Sequence, residues 1–442
     1  MSETLFPVPE PVGGPKKTAS EVEGTARLVR PNRAQMEMRA VDLESLLAMD
    51  HSARAVWEFV EALDLKPLEA QVQAVEGRAG RPATDPRIYL ALWLYATVEG
   101  VGSARALERL TQQHDAYRWI CGGVGVNYHS LSDFRVEHEE FLDRLLTLSV
   151  ASLLSQGLVQ LQRVAQDGLR VRASAGAASF RRQASLEEHL KEAQEQVERL
   201  RQELQEDPGA TSRRQASARQ RAAEERQRRV AAALAQMPEV ASKKSAEEKP
   251  QARVSTTDAE ARVMKMADGG FRPAYNGQLA VDTQSQIVVG VEVSTCGSDG
   301  NQLLPMLDQL RQRYEALPPE SLVDGGFAKL QAIEEATDRG TVVYAPVSKP
   351  KDPGRDPYVP LTSDSPAIAA WRQRMGTPEA KQVYKQRAAS VECVNALARN
   401  RGLQQFRVRG RRKVRAVLLW FALAHNLMRS WSLRATPAAA GT

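Results

Sequence analysis

Cysteine and aromatic residues are both scarce in this chain of 442 residues. The three cysteines, Cys121, Cys296 and Cys393, stand far apart, without a CxxC pair or a cluster with histidine. This spacing excludes a disulfide framework and a cysteine-based zinc site, and it favours reduced thiols in a cytosolic compartment. Aromatic residues are only 5% of the chain, so a glycosidase with paired carboxylates fits the composition poorly.

Long apolar runs are missing as well. The most apolar late segment, "VLLWFALAHNLM", is too short to span a bilayer and contains His425 and Asn426, so it predicts a buried helix. The first residues, "MSETLFPVPEPVGGPKK", show no apolar stretch behind a basic start and therefore no secretory signal. We expect a soluble, cytoplasmic protein without a membrane partner.

Carboxylates become rare toward the C-terminal end. Beyond Glu379 the only acidic residue is Glu392, whereas the same stretch contains thirteen lysines and arginines. The formal net charge of the whole chain is only +6, so the distribution, rather than the total, indicates a polyanionic partner. A single carboxylate in such surroundings is either a salt-bridge partner or a metal ligand beside a phosphate-binding surface.

The N-terminal part is predicted to be a disordered tail followed by a helical domain. Residues 1–35 are rich in proline and glycine and show no periodicity. Between 36 and 157, apolar residues recur at helical spacing, and glycine-containing turns separate the segments. A helix-turn-helix-like DNA-binding bundle and a purely structural helical domain both fit this pattern.

Three helices of this region have recognisable sequences. "ATDPRIYLALWLYATVEG" begins with a cap at Thr84 or Asp85 and has Pro86 in its first turn. A second single helix is expected over "GSARALERLTQQHDAYRWI". A third is expected over "NYHSLSDFRVEHEEFLDRLLTLSVASLLSQG", where Ser130 and Asp133 are placed as a capping box.

Residues 158–433 have the pattern of an α/β domain built on a mixed sheet, with a short disordered tail at 434–442. Strands are predicted over "LVQLQRVAQDGLRVRAS" ending near Asp167, over both halves of "NGQLAVDTQSQIVVGVEVSTC", over "ESLVDGG" up to Asp324, and over "TVVYAPV". "NQLLPMLDQLRQRYEAL" predicts an amphipathic helix before the Asp324 strand.

An insert of different character interrupts this domain at about 184–251. Its apolar residues alternate spacings of four and three, which is a heptad seam: Leu186, Leu190, Ala193, Val197, Leu200 and Leu204. "EDPGATS" ends this first helix, and "RRQASARQRAAEERQRRVAAALAQM" begins a second. We therefore predict a helical hairpin that projects from the sheet and either dimerises, contacts DNA or is a solvated structural insert.

Asp167, Asp324 and Glu392 are the candidate metal ligands. Two-metal cleavage of a phosphodiester needs carboxylates that converge on a pair of Mg²⁺ ions. Each aspartate is predicted to close a short apolar strand before a glycine, and Glu392 lies in a segment of helical character. Arg399, two helical turns beyond Glu392, falls on the same face and can hold a DNA phosphate. The structural alternative is an ion pair of Glu392 with Arg387 or Arg399.

Two other aspartates compete for such roles. Asp282 follows "QLAV" and is assigned to the turn of the predicted hairpin. Asp299, in "CGSDGN", stays open as a neighbour of the site.

The order of several short motifs resembles that of a known family. "VAQDGLRVRAS", "AYNGQLAVDTQSQIVVGVEVS", "GNQLLPMLDQL", "LVDGGF", "YKQRAASVE" and "KVRAVLLWFALAHNLMRSW" follow one another as in bacterial insertion-sequence transposases of the DDE type. "GRPATDPRIYLALWLYATVEG" and "HSLSDFR" resemble the helical N-terminal domain of InsH-like members. The resemblance covers about residues 36–433, most of the chain.

This resemblance implies a ribonuclease H-like catalytic domain with Asp167, Asp324 and Glu392 as its triad and Mg²⁺ or Mn²⁺ as cofactor. The expected fold class is therefore α/β: a ribonuclease H-like mixed sheet with flanking helices, preceded by an all-α domain and interrupted by the helical hairpin.

The family's Tyr-Arg-Glu-Lys signature falls on Tyr384, Arg387, Glu392 and Arg399. Arginine at 399 replaces the lysine of many relatives, which keeps the charge but changes the geometry of phosphate binding. Four residues separate Arg387 from Glu392, where the best-known form of the signature has three.

The basic segment "RVRGRRKVR" is expected to follow the DNA backbone, and a solvated basic face is the alternative. The residues expected to bind DNA are Tyr384, Arg387, Arg399, Arg409, Arg411, Arg412 and Lys413.

These observations predict a transposase that cuts element ends by hydrolysis and joins the freed 3′-hydroxyl to target DNA. Its partner is double-stranded DNA, both terminal inverted repeats and target, bound by a homodimer or higher oligomer in the bacterial cytoplasm or nucleoid. Two alternatives stay open: an inactive transposase-derived DNA-binding protein, and a structure-specific metal-dependent nuclease on the same fold.

Overall fold

The computed structural model describes Ala34, Met36 and residues 42–74, 82–206, 212–350, 352 and 354–435. Apart from Ala34, the predicted N-terminal tail lies outside these ranges, as does most of the predicted C-terminal tail, although the last helix continues to Ala435.

Fifteen helices and eight strands are formed in these ranges. The helices are α1 (Ser52–Glu61), α2 (Lys66–Glu69), α3 (Pro86–Val98), α4 (Ala104–Gln113), α5 (Asp115–Cys121), α6 (Tyr128–Glu137), α7 (Glu139–Ser155), α8 (Gln183–Glu206), α9 (Arg213–Ser242), α10 (Leu303–Tyr314), α11 (Leu330–Asp338), α12 (Pro366–Gly376), α13 (Pro378–Arg387), α14 (Cys393–Asn400) and α15 (Arg411–Ala435). The strands are β1 (Arg163–Arg172), β2 (Phe180–Arg181), β3 (Val254–Ser255), β4 (Arg262–Lys265), β5 (Phe271–Asp282), β6 (Val288–Ser294), β7 (Glu320–Leu322) and β8 (Val342–Tyr344).

Helix α3 begins as its sequence predicts. The Asp85 side chain accepts a hydrogen bond from the backbone N–H of Arg87, and Pro86 occupies the first helical position. The cap satisfies one of the backbone N–H groups that have no partner within the helix. Proline has no N–H, so Pro86 leaves no further donor unsatisfied at this position. The prediction of a cap at Thr84 or Asp85 is confirmed for Asp85.

The predictions of one helix each for the next two segments were wrong. The first of these segments forms two helices, α4 and α5, which meet at His114. The Nδ1 of His114 accepts a hydrogen bond from Ala116 N–H and so caps α5. The second breaks at His138, between α6 and α7. Its N-terminal cap is Asn127, which accepts from Ser130 N–H, so the proposed Ser130 capping box was also wrong.

The sheet is mixed and runs in the order β4-β5-β1-β7-β8, with β6 also paired to β5. Strand β1 lies in the centre, antiparallel to β5 and parallel to β7. Its pairing with β5 extends as far as Arg172 opposite Ala274. Asp167 is therefore in the middle of β1, and the prediction that the strand ends there was wrong. The predicted hairpin of β5 and β6 is confirmed, with Asp282 accepting from Ser285 in its turn.

The two faces of the sheet are covered by different helices. Gly277 of β5 lies against α15, where an added Cβ would stand 2.7 Å from Leu418 Cδ1. On the other face, a Cβ at Gly290 would stand 2.5 Å from Met306 Sδ of α10. Side chains alternate between faces along a strand, so Asp167 shares the α15 face with Leu169.

Helix α15 is buried along most of its apolar segment, as predicted. Its two polar residues have partners on β6 and the preceding turn. Asn426 accepts from Val288 N–H and donates to Val288 C=O, while His425 Nε2 bonds Gln286 C=O. The edge strand thus gains hydrogen bonds from a helix instead of a further strand.

Helix α15 also joins the N-terminal helices to the sheet. Trp420 donates its ring N–H to Arg135 C=O of α6, and Arg415 pairs with Glu139 and Asp143 of α7. The helices before 156 and the sheet share one hydrophobic core. At the predicted border, 157/158, the chain therefore changes from helices to a sheet without a break in the packing. In the described ranges, no helix is long and apolar enough to cross a membrane.

The predicted helical hairpin is confirmed as α8 and α9. It has a small core of its own, which includes Leu186, Val230 and Met237. The short strands β2 and β3 pair at its base, where Phe180 lies opposite Ser255. The insert therefore enters and leaves the domain at one point.

Candidate active site

Asp167 is held at the centre of the sheet by three partners. Its Oδ1 accepts from Gly168 N–H at 2.9 Å and faces Arg387 Nη2 at 2.8 Å. Its Oδ2 accepts from Asn395 Nδ2 at 2.9 Å. Burial raises the pKa of the Asp167 carboxyl, an effect that Arg387 opposes and the nearby charge of Asp324 increases. Asp167 in β1 and Asp324 just beyond β7 are therefore close enough for their charges to repel each other.

Arg387 connects two of the three candidate ligands. The side chain is only 9% exposed, and besides Asp167 it pairs through Nη1 with Glu392 Oε1. The Glu392 side chain is 49% exposed, so this carboxylate stays accessible to solvent. The predicted alternative, an ion pair of Glu392 with Arg387, is thus present, and it includes Asp167 as well.

Tyr384 and Asp324 complete the group. Burial raises the pKa of the Tyr384 hydroxyl; the charge of Arg387 opposes this, and the charges of Asp324, Glu392 and Asp167 add to it. The tyrosine therefore lies within electrostatic reach of all three carboxylates. Asp324, two residues beyond β7, accepts from Gly326 N–H at 2.7 Å, as expected for an aspartate at the exit of a strand.

The chemistry of these donors fits a hard divalent cation. All three candidate ligands are carboxylates, and Mg²⁺ prefers oxygen ligands, usually one or two carboxylates with water and substrate phosphate. In the described ranges, no set of three or more histidine, cysteine, aspartate or glutamate side chains is arranged to hold a metal ion. The guanidinium of Arg387 bridges Asp167 and Glu392 and neutralises part of their charge.

Asp299 lies on the opposite face of the sheet from Asp167. Its Oδ1 accepts from Asn276 Nδ2 at 2.6 Å and Gln278 Nε2 at 2.7 Å. A Cβ at Gly168 would stand 2.5 Å from the same oxygen, so glycine is needed beside Asp167 for this close approach. Asp299 thus belongs to a polar layer beneath the strand.

The remaining basic residues are distributed differently from what the sequence suggested. Arg411 pairs with Glu292, and Arg412 approaches Glu139 and Glu140. Three residues predicted to bind DNA are exposed and form no ion pair within the described ranges: Arg399, Arg409 and Lys413. Part of the basic segment therefore serves the protein's own carboxylates at the start of α15.

Comparison with known families supplies the decisive observation. Residues 41–137 match a family described as a transposase domain (DUF772), and residues 244–427 match the family of the transposase DDE domain. The chain belongs to the insertion-sequence transposases of the DDE type. No curated protein and no solved structure matches the sequence.

The transposase families assign this protein to DNA transposition by mobile elements. Asp324 and Glu392 lie inside the matched DDE segment, whereas Asp167 lies before it. The helical hairpin separates β1 from the matched segment in sequence, and pairing of β1 with β5 and β7 reunites them in space.

A π turn accommodates the five-residue spacing between Arg387 and Glu392. Residues Ala388–Glu392 form a π-helical turn between α13 and α14. An α-helix places residues four apart on one face, whereas a π turn places residues five apart there. Arg387 and Glu392 are five apart and form an ion pair, so the extra residue is absorbed locally.

Asn395 is the site residue that sequence reasoning missed. It is buried, donates to Asp167 and has an Oδ1 without a partner in the described structure. The available signal was its position three residues beyond Glu392, where α-helical periodicity places a polar amide on the same face.

Deleting one of the two alanines 388 and 389 is expected to leave the fold intact, because the π turn then becomes an ordinary helical turn. We expect a free energy of unfolding within about 1 kcal/mol of the parent protein, measured by urea denaturation, and preserved DNA end cleavage. Deletion of Ala396, an exposed alanine within α14, is the matched control. It rotates the following residues by about 100° and should abolish activity. Equal damage from both deletions would contradict this role of the π turn.

Proposed function

We propose that this transposase cuts DNA at the ends of its mobile element and transfers the freed strand into target DNA. The observation that carries the proposal is the pairing of Arg387 with both Asp167 and Glu392, from two distant parts of the chain, with Asp324 and Tyr384 within electrostatic range of the same group. These three carboxylates are the proposed catalytic triad.

The sheet supports a ribonuclease H-like fold for the catalytic domain. Strands β6, β5 and β1 are antiparallel neighbours, and β1, β7 and β8 are parallel neighbours. The central strand carries Asp167, and the adjacent parallel strand leads to Asp324. Rigid strands of this kind hold ligands more accurately than loops do.

Asp167, Asp324 and Glu392 are the residues that would hold Mg²⁺ or Mn²⁺. Such ions, when bound, supply polarisation of the scissile phosphate and activation of water. The chain's own contribution is to place three carboxylates together, orient Asp167 through Asn395, and balance charge through Arg387. Tyr384 and the exposed Arg399 are proposed to position the DNA backbone beside the carboxylates.

The proposed reaction is a hydrolysis followed by a transesterification. Water oxygen first bonds to the phosphorus at the element end as the P–O3′ bond breaks, which leaves a 5′-phosphate and a 3′-hydroxyl. That hydroxyl then attacks a target phosphodiester, forming one bond for the bond that breaks. Neither step needs a covalent bond to the protein or an external energy source.

The helical region at 36–157 is proposed to recognise the terminal inverted repeats, and Arg409, Arg411, Arg412 and Lys413 are proposed to follow the DNA backbone. A dimer or higher oligomer would bring two ends together. Ion pairs at Arg411 and Arg412 would need to exchange with phosphate for these two residues to take part.

The function is tested with full-length protein, Mg²⁺ and duplex DNA carrying the flanking ends of the gene, beside a duplex with scrambled ends. We expect cleavage that leaves a 3′-hydroxyl, followed by joining to a plasmid target, on the native ends alone. Specific binding without cleavage would favour the inactive DNA-binding alternative. Cleavage of both duplexes without joining would favour the structure-specific nuclease.

A further inference from the structure

A cleft lined by arginines lies between the N-terminal helices and the end of β1. Its volume is about 830 Å³, and four arginines line it: Arg105, Arg135, Arg172 and Arg407. None of the described residues that line it is an aspartate or a glutamate. Four cations gathered without a carboxylate repel one another, and this arrangement favours a bound polyanion.

Three of these arginines are free to bind a ligand. Arg105, Arg172 and Arg407 are exposed, and within the described ranges none of them forms an ion pair. Arg105 lies over the ring of Tyr128, with its guanidinium carbon 4.8 Å from the ring centre, which leaves the edge nitrogens available. Arg105, Arg172 and Arg407 are far apart in the sequence, so it is the fold that brings them into one cleft.

Arg135 forms the floor of the cleft and has no carboxylate partner among the described residues. Its Nη1 donates to Gly102 C=O at 2.7 Å, its guanidinium lies over Trp93, and its buried Nε has no partner. Burial, with the charge of Arg407, lowers the pKa of Arg135 to about 10. An anion bound in the cleft would stabilise the positive charge of Arg135, which its burial and Arg407 disfavour.

The walls of the cleft are fixed to the catalytic sheet. Arg172 N–H donates to Gln404 C=O, and Phe406 N–H donates to Arg172 C=O. The loop that carries Arg407 is thereby joined to the end of β1. The first residues of α4 line the opposite wall, and amides at a helix N-terminus favour anions.

The distance to the proposed catalytic centre suits a DNA contact. Arg172 lies five residues beyond Asp167 on the same strand, which corresponds to about 17 Å. At 3.4 Å per base pair along the duplex, this is about five base pairs. Because side chains five residues apart point to opposite faces of a strand, we place the duplex across the end of β1, where Arg172 lines the cleft.

We propose that this arginine cleft binds the DNA backbone about five base pairs from the phosphate that is cut, through Arg105, Arg172 and Arg407. The ligand is a phosphodiester backbone, and the contact is independent of base sequence. This inference rests on the proposed function, because duplex DNA is taken as the substrate.

The test compares two full-length variants that each lose three positive charges. One carries Arg105→Gln, Arg172→Gln and Arg407→Gln. The matched control carries Arg109→Gln, Arg144→Gln and Arg311→Gln, which are exposed arginines without an ion pair in the described part of the chain and outside the cleft. DNA binding is measured by fluorescence anisotropy at several salt concentrations.

We expect the cleft variant to bind about tenfold or more weakly than the control, with the slope of log K against log salt reduced by about two to three. Ethylation of backbone phosphates locates the contact. With the parent and control proteins, ethylation about five base pairs from the cut should impair binding. With the cleft variant, this interference should vanish while interference elsewhere remains.

Other outcomes would overturn the proposal in distinguishable ways. Equal DNA binding by the two variants would exclude the cleft as a DNA contact. If millimolar inorganic phosphate then raised the melting temperature of the parent but not of the cleft variant, the cleft would be a site for a free anion. Failure of the parent protein itself to bind DNA would reject the proposed function, and this inference with it.

Discussion

Asp167→Asn is expected to lower DNA end cleavage by a factor of about 10³ or more, equivalent to about 4 kcal/mol in the activation barrier. The amide keeps the size of the side chain but removes the charge that would hold a divalent cation. Asp324→Asn and Glu392→Gln should show the same loss. The rates of cleavage and joining, measured on the native DNA ends, test all three variants.

The matched controls are Asp338→Asn and Glu379→Gln, which change exposed carboxylates outside the site, at the end of α11 and in the first turn of α13. These two variants should cleave at the parental rate, and all five should bind the DNA ends. An active Glu392→Gln variant would remove Glu392 from the triad and leave its ion pair with Arg387 as its role. Loss of DNA binding by Asp167→Asn would instead indicate a general folding defect.

Arg387→Gln is expected to destabilise the protein in the absence of divalent cations by about 3 kcal/mol. The substitution removes the guanidinium from two carboxylates and leaves Asp167, with a side chain only 18% exposed, without a countercharge. The pKa of Asp167 is already raised by burial and should rise further. The loss is therefore largest at neutral pH and shrinks as acid protonates Asp167. Urea denaturation at several pH values measures it.

Mg²⁺ should restore more stability to this variant than it gives to the parent, because a cation no longer competes with the guanidinium. Arg372→Gln is the matched control, since Arg372 forms a comparably buried ion pair with Asp364 away from the site. It should lower stability without changing the response to Mg²⁺. The same Mg²⁺ response in the parent and in both variants would show that Arg387 does not occupy the cation-binding region.

Local signals in the sequence predicted a large part of the fold. Asp85 and Pro86 define the start of α3 because a cap and a fixed φ angle act within a few residues. The β5–β6 hairpin and the α8–α9 hairpin were predictable for the same reason, because the two elements of each hairpin are close in sequence and contact each other. The breaks at His114 and His138 were missed because the apolar periodicity continues across them and only the local capping differs.

The geometry of the site depends on contacts that periodicity does not contain. Asp167 appeared to end a strand because glycine follows it, yet β1 continues through Gly168 to pair with β5. The glycine is required by Asp299 on the other face. Asp167 and Glu392 were expected to lie close together and both pair with Arg387, but the bridging position of Arg387 depends on a π turn that no helical pattern indicates.

The central position of β1 has a consequence for the time at which activity can begin. Asn395, which orients Asp167, follows it by 228 residues in the chain. At about 5 to 20 residues per second, a ribosome needs roughly 10 to 45 seconds to make that interval. The α8–α9 hairpin can form meanwhile from its own local contacts. A nascent chain therefore carries Asp167, the first carboxylate of the proposed triad, long before Asn395 exists, and Asp167 lacks this hydrogen-bond partner until Asn395 has been made.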